Sequence, residues 1–382
     1  MNISFSVKIP QNIRYGTGSL RFLEEEVKGR YKKVAVFTDS GVHKAGLTEE
    51  PVRWLKEGGC SVEVIKDIPA EPTCRQAQDV VERFLESGAE LVVAVGGGSV
   101  MDVAKLASIA VQGEKVSDYV EQPLLGRKRV KSIMIPTTAG TGSEATPNSI
   151  VALPEQELKV GIVNSELVAD TVILDGNMIR ELPEGIAAAT GMDALSHALE
   201  CYTSNKANTF SNLFALEALK LIFGNIIEAC RNRENIESKN KMLLAAFYGG
   251  VAIAASGTTA VHALSYPLGG KYHIAHGISN AMLLVPVMRF NRDACHKEFA
   301  EIYDAVCHGN ARKEEEKSEW LISELSGIVK TLKIPDKLEV FGVGKEDLDQ
   351  LVEAGMKVTR LLQNNKKAVT AEDTRRLYLE LM

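Results

Sequence analysis

The chain has 382 residues with a net charge of −6, 45% apolar and 25% charged residues, the composition of a globular protein too long for one core and suited to two domains. That acidic balance argues against nucleic acid and anionic membrane as partners. Six cysteines without a C-x-x-C spacing leave neither a disulfide framework nor a zinc ribbon, and the start MNISFSVKIP lacks the plan of a secretory signal, so a cytoplasmic protein is expected.

Taken in chain order, VAVFTD (34–39), SVEVIKDI (61–68), LVVAVG (91–96), SIMIPTT (132–138) and TVILD (171–175) are β-branched runs that predict strands. PVRWLKEGG and RQAQDVVERFLESG lie between the earlier runs and predict amphipathic helices. A βαβα order implies a mostly parallel sheet with helices on both faces. From about Leu182 the pattern changes to long helical periodicities such as NLFALEALKLIFGNIIEAC. The expected fold is therefore an α/β N-terminal dinucleotide-binding domain over 1–180 and an all-α C-terminal metal-binding domain over 181–382. Leu243–Leu264 contains no Asp, Glu, Lys or Arg and has the length of a membrane span. Its small and hydroxyl residues, with no flanking aromatic belt, favour the centre of a helical domain instead.

LVVAVG runs directly into GGGSVMDVAK (96–105), so Gly96, Gly97 and Gly98 stand at the carboxyl end of a strand and open a helix. Glycines there let backbone N–H groups approach a phosphate, and the helix N-terminus favours its charge. The usual G-x-G-x-x-G fingerprint is not met, since Met101 replaces the last glycine; a tight turn alone would also account for the run. A second loop, PTTAGTGSE (136–144), follows another strand and offers hydroxyls and N–H groups. Asp39 ends the first predicted strand, where it either accepts from ribose hydroxyls, favouring NAD over NADP, or caps the next helix through the TDSG turn.

Asp193 and His197 in GMDALSHALE are four residues apart and share one face of a helix. With His262 and His276 they make a four-ligand set of one carboxylate oxygen and three imidazole nitrogens, suited to Fe²⁺, Zn²⁺ or Mn²⁺ acting as a Lewis acid. Each histidine alone could equally be a core residue. His273 reads as packing near the site, and His43, His296 and His308 as surface residues.

EPT (71–73), GGGSVMDVAK, PTTAGTGSE, GMDALSHALE and the H-x13-H pair ending in HG together resemble the iron-containing (group III) alcohol dehydrogenase family over nearly the whole chain. The resemblance implies an NAD(P)-binding domain, a helical domain holding the metal through Asp193, His197, His262 and His276, and a cleft between them. By motif position Gly97, Gly98 and Ser99 match pyrophosphate contacts, with Asp102 nearby; Thr137, Thr138, Thr141 and Ser143 match contacts to the adenine and nicotinamide halves, and Lys159 a cofactor-contacting lysine. Asn148 aligns with a substrate-side position. The implied activity is NAD-dependent interconversion of a small alcohol and its aldehyde, in a homodimer or larger assembly.

This chain departs from many relatives in HALSYPLGG, where Tyr266 stands in place of a histidine usually drawn into the proton path. Tyr266 is then either a replacement relay or a packing residue. SYPLGGKYHIAHG and RLLQNNKKAVTAED are similar to a branch that includes 4-hydroxybutyrate dehydrogenases, which points to a short ω-hydroxy acid, with Lys271 a partner for its carboxylate. The rival readings are a dehydroquinate-synthase-like lyase that also uses NAD and a metal, and a non-catalytic metal-binding or filament-forming protein.

Overall fold

The computed structural model describes residues 5–156, 158–307 and 313–382. The chain divides into two compact units, Lys8–Leu182 and Pro183–Met382, the latter joined by the N-terminal segment through Val7.

The first unit carries strands β1 (Asn12–Tyr15), β2 (Lys33–Phe37), β3 (Ser61–Ile65), β4 (Leu91–Gly96), β5 (Lys131–Pro136), β6 (Asn148–Leu153), β7 (Leu158–Val163) and β8 (Thr171–Leu174). Six of them form one sheet in the order β1-β8-β5-β4-β2-β3, every neighbouring pair parallel. The five predicted strands are β2, β3, β4, β5 and β8. All six residues of β4 are buried, as a strand covered on both faces requires. Val34, Val36, Val93, Val95, Ile133 and Ile135 pack with Leu20, Leu23 and Leu55 in one cluster, each side chain contributing about 1.5–3 kcal/mol by burial. The β-branched repeats of the sequence thus become the centre of the sheet. Because β3 lies at the edge and β4 returns to the other side of β2, the winding reverses between β2 and β4, at whose carboxyl ends such sheets bind ligands. The antiparallel hairpin β6–β7 stands outside this sheet.

The second unit has no strand among the described residues. Its central helices are Glu184–Thr203, Thr209–Arg231, Ile236–Ser256, Ala260–Tyr272 and His276–Asn291. The apolar run predicted as one central helix is two. It breaks at Gly257, whose φ of 78° is in the left-handed region open to glycine, and the flanking helices are bent by 106°. No single helix of the described residues is long and apolar enough to cross a membrane.

Candidate active site

Three helices of the second unit bring Asp193, His197, His262 and His276 together, with one ligand atom from each within 4.8 Å of the others. The Nε2 atoms of His197, His262 and His276 lie 3.7, 3.6 and 3.7 Å from Asp193 Oδ1. The first pair is one helical turn apart, as its spacing predicts. His276 reaches the cluster because Gly277 follows it: a Cβ at Gly277 would fall 2.3 Å from the carbonyl oxygen of Ala189, so only glycine lets the two helices approach this closely. His276 alone of the four is partly exposed, which leaves an open side for a reactant.

The electrostatics favour positive charge at the cluster. Burial opposes ionisation of Asp193, but the imidazoles of His197, His276 and His262 outweigh it and hold the carboxyl well below the usual carboxylate range. Burial likewise opposes charge on His262, yet Glu200 and Asp193 on its two sides raise its imidazole to about 9. A convergent set of one carboxylate oxygen and three imidazole nitrogens fits a divalent ion.

Glu200 is a member of this centre that the ligand motif alone does not announce. It is fully buried one turn beyond His197, and its Oε2 accepts from Nδ1 of His262. Its Oε1 accepts from the N–H groups of Thr259 (3.1 Å) and Val261 (2.7 Å) and from the Thr259 hydroxyl (2.7 Å). Glu200 thereby fixes the His262 tautomer, Nδ1 protonated and Nε2 turned to Asp193. The signal available in the sequence is the spacing: 193, 197 and 200 fall on one helical face. Asn280, one turn after His276, also enters the cluster, its Nδ2 2.7 Å from Asp193 Oδ1.

Tyr266, one turn after His262, places its ring centroid 6.2 Å from that of His276. Burial raises its hydroxyl pKa, against the opposing pull of Arg360. His273 is exposed, ends the Ala260–Tyr272 helix in the left-handed conformation, and stands outside the donor cluster. His43 and His296 are half-buried and hydrogen-bonded to Thr48 and Ser318, while His308 lies outside the described residues. The ammonium of Lys271, expected to meet a substrate carboxylate, is exposed and donates to Asp347 at 3.3 Å and to Gln350.

The predicted dinucleotide residues belong to the first unit. Asp39, Gly97 and Thr137 follow β2, β4 and β5, which are adjacent in the sheet, so three loops gather at its carboxyl edge. Gly96 leaves no room for a side chain, since a Cβ would sit 2.6 Å from Val100, and a Cβ on Gly98 would press Thr141 at 3.0 Å. The two loops are thus in direct contact, with the Thr137 N–H donating to Gly96 O at 3.1 Å and Thr138 beside Gly97. Asp39 acts as the N-cap of Ser40–Lys44: its Oδ1 accepts from Gly41 and Val42 N–H at 2.8 and 2.9 Å.

Several of the other residues serve first as braces. Ser143 Oγ donates to Asp102 Oδ1 at 2.5 Å, and Asp102 Oδ2 accepts from the Ile150 N–H at 2.9 Å. Between them sits Lys105, completely buried, donating to Ser143 Oγ (2.7 Å), Thr146 Oγ1 (3.2 Å) and the Asn148 carbonyl (2.7 Å). Glu144, also buried, is pushed up to about 7 by desolvation, with Lys105 opposing the shift. Lys159 is paired with Glu71 at 2.6 Å, and the Glu71 N–H donates to Ser99 Oγ at 3.0 Å. Glu71 itself has φ 51°, a strained value for a residue with a side chain, held by these two contacts.

Comparison with known proteins matches both units. The family model described as iron-containing alcohol dehydrogenase covers residues 10–176, and that described as Fe-containing alcohol dehydrogenase family, C-terminal, covers 187–382. Long-chain-alcohol dehydrogenase 1 of Geobacillus thermodenitrificans (strain NG80-2) is 36% identical over 379 residues, 97% of this chain and 95% of the relative. Among solved structures, a 1,3-propanediol oxidoreductase superposes with a TM-score of 0.94 at 27% identity over 100% of both chains. Sulfoacetaldehyde reductase from Bifidobacterium kashiwanohense, solved in complex with NAD⁺, gives 0.89 at 27% identity over 100% of this chain and 99% of that one. Two models that between them span both units, and a relative similar from end to end, leave one conclusion: the chain belongs to the iron-containing alcohol dehydrogenase family and is an NAD-dependent, metal-dependent alcohol dehydrogenase.

Proposed function

We propose that Asp193, His197, His262 and His276 hold one Fe²⁺ ion, or Zn²⁺ or Mn²⁺ in its place, and that the Pro183–Met382 unit is the metal-binding and catalytic domain. The Lys8–Leu182 unit is read as the NAD-binding domain, with Gly97, Gly98 and Ser99 at the pyrophosphate and Thr137, Thr138 and Thr141 along the cofactor. Asp102, Ser143 and Lys159 act through the brace and the ion pair that position these loops. When bound, the ion supplies Lewis acidity toward a substrate oxygen and the nicotinamide accepts or returns the hydride. The chain's own residues do the rest: Glu200 orients His262, Asn280 touches Asp193, and Tyr266 carries a proton to or from the reacting oxygen.

The substrate class is a short aliphatic alcohol or aldehyde, including one ending in a carboxylate several carbons from the reacting centre. Support for the anion comes from the branch resemblance, from the sulfonated substrate named for one structural relative, and from Arg360, the cation that acts on Tyr266. Asn148 is read as the substrate-side residue of the first unit. The enzyme is read as a cytoplasmic homodimer or larger homo-oligomer.

The observation that carries the metal assignment is the convergence of four donor atoms within 4.8 Å. Metal analysis tests it: the wild type binds one divalent ion per chain, chelation abolishes turnover and Fe²⁺ restores it, and His262→Ala loses both. Full turnover by metal-free His262→Ala would end the assignment. The substrate reading expects succinate semialdehyde to exceed butanal in kcat/KM, and equal values would refute it.

A further inference from the structure

Asn280 lies one turn after His276 and is completely buried. Its Nδ2 is 2.7 Å from Asp193 Oδ1 and 3.1 Å from the Nε2 atoms of both His262 and His276. Its Oδ1 is buried with no hydrogen-bond partner among the described residues. The two ends of a carboxamide have the same shape, so what each end meets decides its orientation. Turned over, the amide would set a carbonyl oxygen against the Asp193 carboxylate, acceptor against acceptor. In the orientation found, an unmet acceptor is tolerated on the far side so that the N–H groups can face the donor atoms, although leaving a buried acceptor unpaired is costly. Nothing on the far side aims the amide; the donor cluster does.

We propose that Asn280 is a positioning residue of the metal centre, which rests on the reading of the quartet as ligands. Its amide restrains rotation of the Asp193 carboxylate through the 2.7 Å hydrogen bond, and its nitrogen stands 3.1 Å from the inward nitrogens of both His262 and His276, where its second N–H can meet one of them. Donors held in this way converge on one point, and less ordering remains to be done on metal binding. Outer partners of metal ligands typically change metal affinity 10- to 100-fold when removed.

The test is Co²⁺ binding to metal-free protein, read by visible absorption, with NADH binding followed in parallel as a control on the fold. Asn280→Leu keeps the branched shape and removes the donor; Asn280→Ala avoids the larger methyl groups and decides if the first does not fold. The Kd for Co²⁺ is expected to rise 10- to 100-fold in these variants with NADH affinity unchanged. A Co²⁺ Kd within twofold of wild type, or a fall in Co²⁺ affinity matched by an equal fall in NADH affinity, overturns the proposal. His262→Ala separates the two readings. If it binds Co²⁺ like wild type, the ligand assignment fails; if it loses Co²⁺ while the Asn280 variants retain it, only the role of Asn280 fails.

Discussion

Glu200 and His262 come from different helices and are joined through Oε2 of the carboxylate and Nδ1 of the imidazole. Because Glu200 is itself fastened by the N–H groups of Thr259 and Val261, the imidazole it holds is fixed in both tautomer and direction. Glu200→Ala should therefore weaken Co²⁺ or Zn²⁺ binding by about 10- to 100-fold while leaving all four ligands in place. Competition against a chromophoric chelator measures this, and unchanged affinity would show that the pair does not tune the site.

Glu144 gives the protein a pH-dependent stability. Its carboxyl, raised by burial from 4.5 to about 7, binds a proton more tightly in the folded chain than in the unfolded one. Between those two values the folded state carries the extra proton, so this group's contribution to stability falls as pH rises from 4.5 through 7 and is level above. Glu144→Gln removes the charge and should flatten that slope. The variant is then expected to be more stable than wild type at pH 8 by a few kcal/mol, since each pH unit across that window costs wild type on the order of 1.36 kcal/mol. Urea midpoints at pH 5 and pH 8 decide it: parallel changes in the two proteins would refute the assignment.

Asp39 caps Ser40–Lys44 through Oδ1, which does not preclude recognition of a ribose by the same carboxylate. The two roles separate in Asp39→Asn, because asparagine caps as well as aspartate but carries no charge to repel a 2′-phosphate. The expected result is an unchanged Tm with the NADP-to-NAD ratio of kcat/KM raised at least tenfold. An unaltered ratio would leave capping as the whole function of the residue.

For Tyr266 the raised hydroxyl pKa means that the side chain stays protonated across neutral pH and passes a proton as a donor. Tyr266→Phe keeps the ring beside His276 and removes only the hydroxyl. We expect kcat for aldehyde reduction to drop about 10- to 100-fold, in the lower range of general acid–base catalysis, with KM nearly constant. Wild-type kcat and pH profile in this variant would reduce Tyr266 to packing.

What the sequence discloses depends on how locally each feature is encoded. β2, β3, β4, β5 and β8 are readable because each is a β-branched run closed by a turn residue, whereas β1, four mostly exposed residues (Asn12–Tyr15), is too short for its alternation to stand out and owes its place to pairing with β8. Asp193 and His197 are readable through helical spacing, and by the same rule Glu200 and Asn280 lie on their ligands' faces, but spacing does not say which polar residue turns inward. Lys105 is harder still: Asp102 is one helical turn away, but its other partners stand 38 to 43 positions off, and nothing near residue 105 reveals that Ser143 will be engaged with both Lys105 and Asp102. Lys271 is similar, a cation whose partners Asp347 and Gln350 both come from a distant segment.

The break at Gly257 bears on how the chain is made. A newly synthesised stretch from Leu243 to Leu264, uncharged and as long as a bilayer is thick, would be a candidate for a membrane-insertion apparatus if it stayed extended in one helix. Gly257 ends the first helix, and the start of the second is held by a tertiary contact, the Thr259 and Val261 N–H groups donating to the Glu200 carboxylate. One buried anion thus serves two ends, orienting His262 and anchoring the turn by which an uncharged segment of bilayer length folds back into the interior of its own domain.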